Sequence, residues 1–327
     1  MIITRTPFRI SFAGGGSDLP SYYGRRAGAV LSTAIDKYVY LAVKAHFGNT
    51  FRVSYSRTEL VNSVEEIEHP IVRECLKHVG LSRGLEIVSM ADLPVQSGIG
   101  SSSSFTVGLL HALYATQGKV VTPERLAQEA CCIEIEKLKE PIGKQDQYIA
   151  AYGGLQFLRF NPDGSVFVDP VVCHPETRIE LNRRLLMFFT GMTRSAREVL
   201  SRQANRTDLN MEVLDHLSSI ANELRVVLTQ GSDLNQFGRL LDQAWELKKT
   251  LEESISTPRI DAIYERGRSA GALGGKLLGA GAGGFLLFYC EPHRQHQLRE
   301  ELSELAEVPF SLDPQGTKIV HIGGDHW

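Results

Sequence analysis

The sequence predicts an α+β protein of two domains: a mixed α/β unit over residues 1–184 and a split β-α-β, ferredoxin-like unit over residues 185–327. Three observations predict it. A chain of 327 residues with 43% hydrophobic content can bury the cores of two domains. Strand-like runs recur early and are interleaved with helical ones. Near Leu185 the composition changes, with a buried strand followed by two long amphipathic helices.

Taken in order, Ile2 to Phe12 alternates polar and apolar residues like a strand, and Tyr38 to His46, Phe51 to Tyr55 and Leu85 to Met90 are strand-like as well. Helices are expected at Pro70 to Val79 and Phe105 to Ala115. Thr122 as N-cap and Pro123 at the first helical position begin a long helix that Pro141 and Gly143 stop. Phe157, Arg159 and Phe160 lead into a turn at Asn161 to Gly164, with a strand at Ser165 to Val168 beyond it. Leu185 to Thr190 reads as a buried strand. Val213, Leu214, Leu217, Ile220, Ala221, Leu224 and Leu228 then keep helical spacing, as do Phe237, Leu240, Leu241 and Ala244. These stripes are core. The chain continues as a helix (Arg259 to Ala270), a Gly-rich loop (Gly271 to Gly284), a strand (Phe285 to Cys290), a helix (Pro292 to Glu304) and a last strand (Lys318 to Ile322). No internal repeat or low-complexity linker interrupts it.

A formal net charge of −3 and the lack of a dense Lys/Arg block argue against nucleic acid or an anionic membrane as main partner. Met1 to Phe12 lacks the continuous apolar core of a signal peptide, and no apolar run approaches membrane-spanning length, so a cytoplasmic protein is expected. Five cysteines without metal-ligand spacing fit a reducing compartment and read as small core residues.

The chemistry is concentrated in glycine-rich junctions. Asp92 to Ser104 joins a strand to a helix. Gly98 and Gly100 allow backbone N–H groups to turn inward, and Ser101 to Ser104 bring hydroxyls to a helix N-terminus that favours anions. It reads either as a well-capped turn or as an ATP phosphate loop; it has neither the Lys-Ser/Thr ending of a Walker A motif nor the dinucleotide glycine spacing. Pro7 to Asp18 is a strand ending in three glycines, then Ser17 and Asp18. It is either a helix cap or a place where a substrate meets the backbone while Asp18 accepts hydrogen bonds from its hydroxyls. Glu134 falls inside the stripe of Ala127, Ala130, Cys131 and Leu138, where a carboxylate is costly unless paired. A salt bridge would satisfy it, as would a magnesium ion shared with Ser hydroxyls and phosphates. Asp146, after the helix stop, could orient or deprotonate a substrate hydroxyl. Gly274 to Gly284 precedes a strand and so fails the Rossmann context. Its small residues suit close packing, against another Gly-rich loop or between domains.

Together these segments resemble the GHMP kinase superfamily, over nearly the whole chain. Pro94 to Ser103 matches the family phosphate loop, with Ile99 for Leu and Ser103 for Ala; Lys276 to Gly284 matches its C-terminal glycine motif; and Pro7 to Asp18 is similar to the sugar-kinase N-terminal motif. Gly15 and Gly16 stand where galactokinases carry Glu-His, which argues against galactose. Arg9 to Tyr23, Ala34 to Tyr40, Gly143 to Tyr148 and Thr190 to Arg194 are similar to the D-glycero-D-manno-heptose 7-phosphate kinase group, with fucokinase-type domains nearby.

The resemblance implies a cytoplasmic, ATP-dependent sugar 1-kinase making an anomeric phosphate for nucleotide-activated heptose and surface polysaccharide, with a homodimer as a possible state. Asp146 would be the catalytic aspartate, with Arg9 beside it to hold its charge. Pro94, Ser97, Gly98, Gly100, Ser101, Ser102 and Ser103 would bind ATP, and Ser102 and Glu134 would hold Mg2+. Gly15, Gly16, Ser17, Asp18, Asp36, Lys37 and Gly281 would line the sugar site, with Arg194 as first choice for a substrate phosphate. A neutral-sugar 1-kinase and a non-catalytic sugar sensor on the same fold are the alternatives. A nucleotide-sugar oxidoreductase would need a Rossmann glycine turn, which is absent.

Overall fold

A computed structural model describes residues 1–193, 196–231 and 233–323. The first sheet is assembled from β1 (Ile2–Ala13), β2 (Gly28–Ala45), β3 (Phe51–Ser54), β4 (Thr58–Val61), β5 (Leu85–Ala91), β6 (Leu155–Phe160) and β7 (Val166–Pro170). The 18-residue β2 organises it: its first half pairs with β6 and its second half with β5, while β1 runs antiparallel along both. The order is β1-β2-β5-β3-β4, with β6 and β7 branching from β2.

One face of this sheet is covered by helices. α1 (Pro20–Tyr23) is a single turn after β1; α2 (Pro70–Val79), α3 (Ser101–Thr116), α4 (Pro123–Cys131) and α5 (Gln145–Tyr152) enclose a core of Val43, Phe51, Leu76, Leu109, Leu110 and Ile149. α3 is buried nearly all round because it lies between β1, β2, α2 and α5. The expected long helix from Pro123 is in fact two kinds of helix: after α4 the chain widens into a π turn, Cys132–Lys137, which carries Glu134.

The second unit follows α6 (Pro175–Arg184). Its elements are β8 (Leu185–Phe189), α7 (Ala196–Asn205), α8 (Met211–Gln230), α9 (Asn235–Thr250), α10 (Pro258–Ser269), β9 (Gly274–Leu277), β10 (Phe285–Tyr289), α11 (Gln295–Glu301) and β11 (Ala306–Glu307). The antiparallel order β11-β8-β10-β9 inserts β10 between β8 and β9, the split β-α-β arrangement of a ferredoxin-like sheet. The apolar stripes of α8 and α9 fill the space between the two sheets: Leu217 and Leu224 share one core with Phe8, Phe12 and Leu31, and with Phe188 and Phe288.

One boundary needs correction. β12 (Lys318–Ile322), expected in the second domain, pairs antiparallel with β1 and closes the edge of the first sheet. The region 185–327 therefore returns to the first domain. Among the described residues no helix is long and apolar enough to cross a membrane. Cys75, Cys131 and Cys290 are buried core residues, as expected, and Cys132 and Cys173 are half-buried; all five are free thiols.

Candidate active site

The site lies where the two glycine-rich junctions meet. Gly98 and Gly100 both have positive φ, 82° and 76°, and Gly100 is the residue from which α3 starts. A Cβ on Gly98 would lie 2.3 Å from the carbonyl oxygen of Leu278, one on Gly279 would lie 2.3 Å from Gly98 Cα, and one on Gly284 would lie 2.2 Å from the carbonyl oxygen of Ser97. The loop before β10 thus packs back to back with the loop before α3, as expected. No side chain fits between them. Pro94 and Ser97 shape the turn: the Ser97 hydroxyl donates to the Pro94 carbonyl at 2.6 Å and is fully buried.

Arg9 and Asp146 form the centre. The Arg9 guanidinium donates through Nε to Asp146 Oδ1 at 2.7 Å and through Nη2 to Oδ2 at 2.8 Å, while Nη1 donates to the Gly98 carbonyl at 2.6 Å. Such a two-pronged pair fixes the carboxylate in orientation as well as position. Asp146 sits in the first turn of α5, which Gln145 begins.

A cleft extends to both sides of this pair. One part is lined by Gly98, Gly100, Ser101, Ser102 and Ser103. The other is lined by Gly15, Gly16 and Asp18, with Gln145, Gln203 and Lys276. Arg9 and Asp146 belong to both walls.

Beside the first part, Glu134 is fully buried by the π turn. It accepts from the Ser102 hydroxyl at 2.5 Å and from Gln147 Nε2 at 2.7 Å. Burial raises its carboxyl above the usual range, against the opposing pull of hydrogen bonds from Ser102, Ser103 and Gln147. The folded state thus holds that proton more tightly than the unfolded chain does, so Glu134 costs stability as pH rises above 4.5. Glu134→Gln removes this cost, and Gln147 Oε1, which has no partner, can turn to accept from the new amide. The variant should unfold at an equal or higher temperature than the parent at about pH 8, the difference vanishing near about pH 4. A lower midpoint at the higher pH, read by circular dichroism, would contradict this.

In the second part Asp18 is buried and accepts from Gly16 N at 2.9 Å, from Gln145 Nε2 at 3.1 Å and from Gln145 N at 3.3 Å. Burial raises its carboxyl too, with the Asp146 charge adding to the rise and the Gly16 and Gln145 amides lowering it. Gly143 is obligatory here, since a Cβ would fall 2.0 Å from Asp18 Oδ2. Gly16 has a φ of 105°, which L side chains rarely adopt, and the Gln203 amide lies over it. Ser11 Oγ, Gln145 Oε1 and Gln203 Nε2 are buried in this wall without a protein partner. Unpartnered polar atoms around a cavity call for a polar ligand.

Several expected site residues lie elsewhere. The Ser17 hydroxyl is consumed by the Gly14 and Ala29 carbonyls and lines neither part. Asp36 and Lys37 are the residues by which β2 bulges opposite Pro7 and Phe8, where Pro7 has no N–H to give the ladder. Neither lines the cleft, and Asp36 accepts from Ser311 N at 2.8 Å. Gly281 lines the part beside the serine loop, not the part beside Asp18. Arg194 lies outside the described residues. Ser11, Gln203, Lys248 and Lys276 were not anticipated as site residues.

Comparisons with known proteins decide the family. The model of the GHMP kinases N terminal domain matches residues 62–154, and that of the GHMP kinases C terminal domain matches residues 224–308. A D-glycero-alpha-D-manno-heptose 7-phosphate kinase of Campylobacter jejuni is 30% identical over 97% of this chain and 98% of its own. The chain belongs to the GHMP kinases. A bifunctional fucokinase/GDP-fucose pyrophosphorylase of Arabidopsis thaliana is 29% identical over 94% of the GHMP kinase described here, which spans 31% of that longer protein. Among solved structures, a D-glycero-D-manno-heptose 1-phosphate kinase from Bacteroides thetaiotaomicron superposes with a TM-score of 0.82 at 24% identity, covering 99% of this chain and 100% of that one. This GHMP kinase is a sugar kinase, a phosphotransferase with an alcohol group as acceptor.

Proposed function

We propose that this sugar kinase transfers the γ-phosphoryl group of ATP to the anomeric hydroxyl of D-glycero-D-manno-heptose 7-phosphate, giving the 1,7-bisphosphate. The observation that carries this reading is the Arg9–Asp146 pair in the wall common to both parts of the cleft. A donor in the serine-loop part and an acceptor in the Asp18 part would meet there. Phosphoryl transfer depends on that alignment and on charge neutralisation more than on covalent chemistry.

The N–H groups of Gly98 to Ser103, at the start of a 16-residue helix whose first internal bond is Ser104 N to the Gly100 carbonyl, suit the β- and γ-phosphates of ATP. Arg9 occupies two of the lone-pair sites of Asp146 and leaves others to accept the sugar hydroxyl, so Asp146 orients that oxygen and takes its proton as the bond to phosphorus forms. Asp18 accepts a second sugar hydroxyl, and Ser11, Gln145 and Gln203 supply further polar atoms. Ser102 and Glu134 fit a magnesium ion, which usually takes one or two carboxylates and completes its shell with phosphate and water. When bound it would neutralise phosphate charge.

The heptose phosphate is favoured by the Campylobacter relative. The Arabidopsis relative favours L-fucose as the second reading, and its pyrophosphorylase half indicates what a sugar 1-phosphate is for: transfer of a nucleotidyl group to the new phosphate. For the heptose the same step would supply activated sugar for surface polysaccharide. ADP release with magnesium and ATP should be largest with the heptose 7-phosphate among that sugar, L-fucose, galactose and mannose. Turnover confined to a neutral sugar would overturn the heptose reading, and binding of sugar with no ADP release would overturn the kinase mechanism.

A further inference from the structure

Two ammonium groups beside the acceptor are unused in this scheme. Lys248 projects from the last turn of α9 and Lys276 from β9; they are 8% and 4% exposed. Both line the Asp18 part of the cleft and neither lines the serine-loop part. Each gives a hydrogen bond to a backbone carbonyl, Lys248 to Gly279 at 2.5 Å and Lys276 to Phe12 at 2.9 Å. An ammonium has three such donors.

Among the described residues neither lysine forms an ion pair. The charged groups around them are Arg9 from β1, Asp18 after it and Asp146 from α5, with each lysine facing the other. Arg9 is already engaged by Asp146, so the local balance is positive. Burial, then the nearby positive charges, drive both lysines below their ordinary range, Lys248 to about 8. An aliphatic residue would fill either position without that penalty.

We propose that Lys248 and Lys276 form a phosphate-ester site on the acceptor side of the cleft. Its occupant is either the phosphate the sugar already carries or the phosphoryl group arriving on the anomeric oxygen. The inference deepens the kinase reading and rests on it for the second source only, since anion binding itself requires no turnover.

The test uses the full chain with a non-hydrolysable ATP analogue filling the serine-loop part and inorganic phosphate as the calorimetric probe. Phosphate should bind the parent protein, and Lys248→Met or Lys276→Met should weaken it at least about tenfold, as expected for loss of a charge-assisted hydrogen bond. Without phosphate the variants should unfold at the same or a higher temperature. Lys276→Gln, which can still donate to Phe12, replaces the Met variant if that fails to fold. Undiminished phosphate binding in the double variant, or none in the parent, would overturn the proposal. A lowered unfolding temperature with unchanged binding would overturn it too, assigning the lysines to holding the chain at Phe12 and Gly279.

Kinetics then separate the sources. A rise in KM confined to the sugar phosphate identifies the resident phosphate. An equal fall in kcat for phosphorylated and neutral sugars, recovered in Lys248→Arg, identifies the transferred group. The calorimetry stands apart from these arms, so failure of the heptose assignment leaves its result intact.

Discussion

Asp146→Asn should lower kcat by about 10²–10⁴-fold while a non-hydrolysable ATP analogue binds as before, because a positioned acid or base contributes on that scale and the serine loop is untouched. The asparagine keeps the shape of the aspartate but presents an N–H to one prong of Arg9, which now has an acceptor at only one of its two contacts. The Arg9 side chain is only 6% exposed, so its charge is left buried and without a counterion. Breaking a buried pair costs about 3–5 kcal/mol, and the partial exposure of Asp146 to the cleft places this case at the low end. Thermal unfolding should register that loss, and assays run well below the lowered midpoint separate it from the kinetic one. Retention of a tenth or more of kcat would remove Asp146 from the mechanism.

Gly98→Ala should damage both the donor site and the contact between the two units. Its φ of 82° costs an L-residue about 1–2 kcal/mol, and the added Cβ would lie 2.3 Å from a backbone oxygen that cannot rotate away. The loop or the Leu278 segment must shift, so KM for ATP should rise by about tenfold or more, 1.4 kcal/mol being a factor of ten. Gly118→Ala is the control: it too has positive φ, but nothing lies within 4 Å of the added Cβ. Its effect should be confined to a small loss of stability. Equal effects of the two substitutions on KM would contradict the role given to the packed loops.

The elements legible in the sequence were those with a strong period or cap: β1, α2, the stripes of α8 and α9, and the Thr122-Pro123 start of α4, whose hydroxyl accepts from Arg125 N. Others had no such signal. The first half of β2, from Gly28, is buried on both faces, polar Ser32 and Thr33 included, so it shows no apolar/polar alternation. α5 is eight residues long and almost wholly buried, so its amphipathic signature is lost although it carries Asp146. The glycines of β9 suggest a loop, yet Gly275 is glycine because the Phe288 and Tyr264 rings and the Leu287 carbonyl leave no room for a Cβ. The pairing of β12 with β1 joins the two ends of the chain and leaves no local trace.

The site followed the same division. Arg9, Asp18, Ser102, Glu134 and Asp146 belong to motifs whose local chemistry is conspicuous. Lys248 resembles any lysine in the last turn of a helix, and only tertiary packing turns it toward the cleft. Asp36 and Lys37 illustrate the converse: the family resemblance implied a ligand site there, whereas both stand in the bulge opposite Pro7 and Phe8, where Asp36 accepts from Ser311 N.

The central claim is that Asp146 directs phosphoryl transfer to the anomeric oxygen, and the position of the new phosphate tests it most directly. Phosphorus and proton NMR of the product formed from D-glycero-D-manno-heptose 7-phosphate, ATP and magnesium should show a phosphate coupled to the anomeric proton, absent with Asp146→Asn. A phosphate on any other hydroxyl, or ADP formed without a new sugar phosphate, would contradict the account.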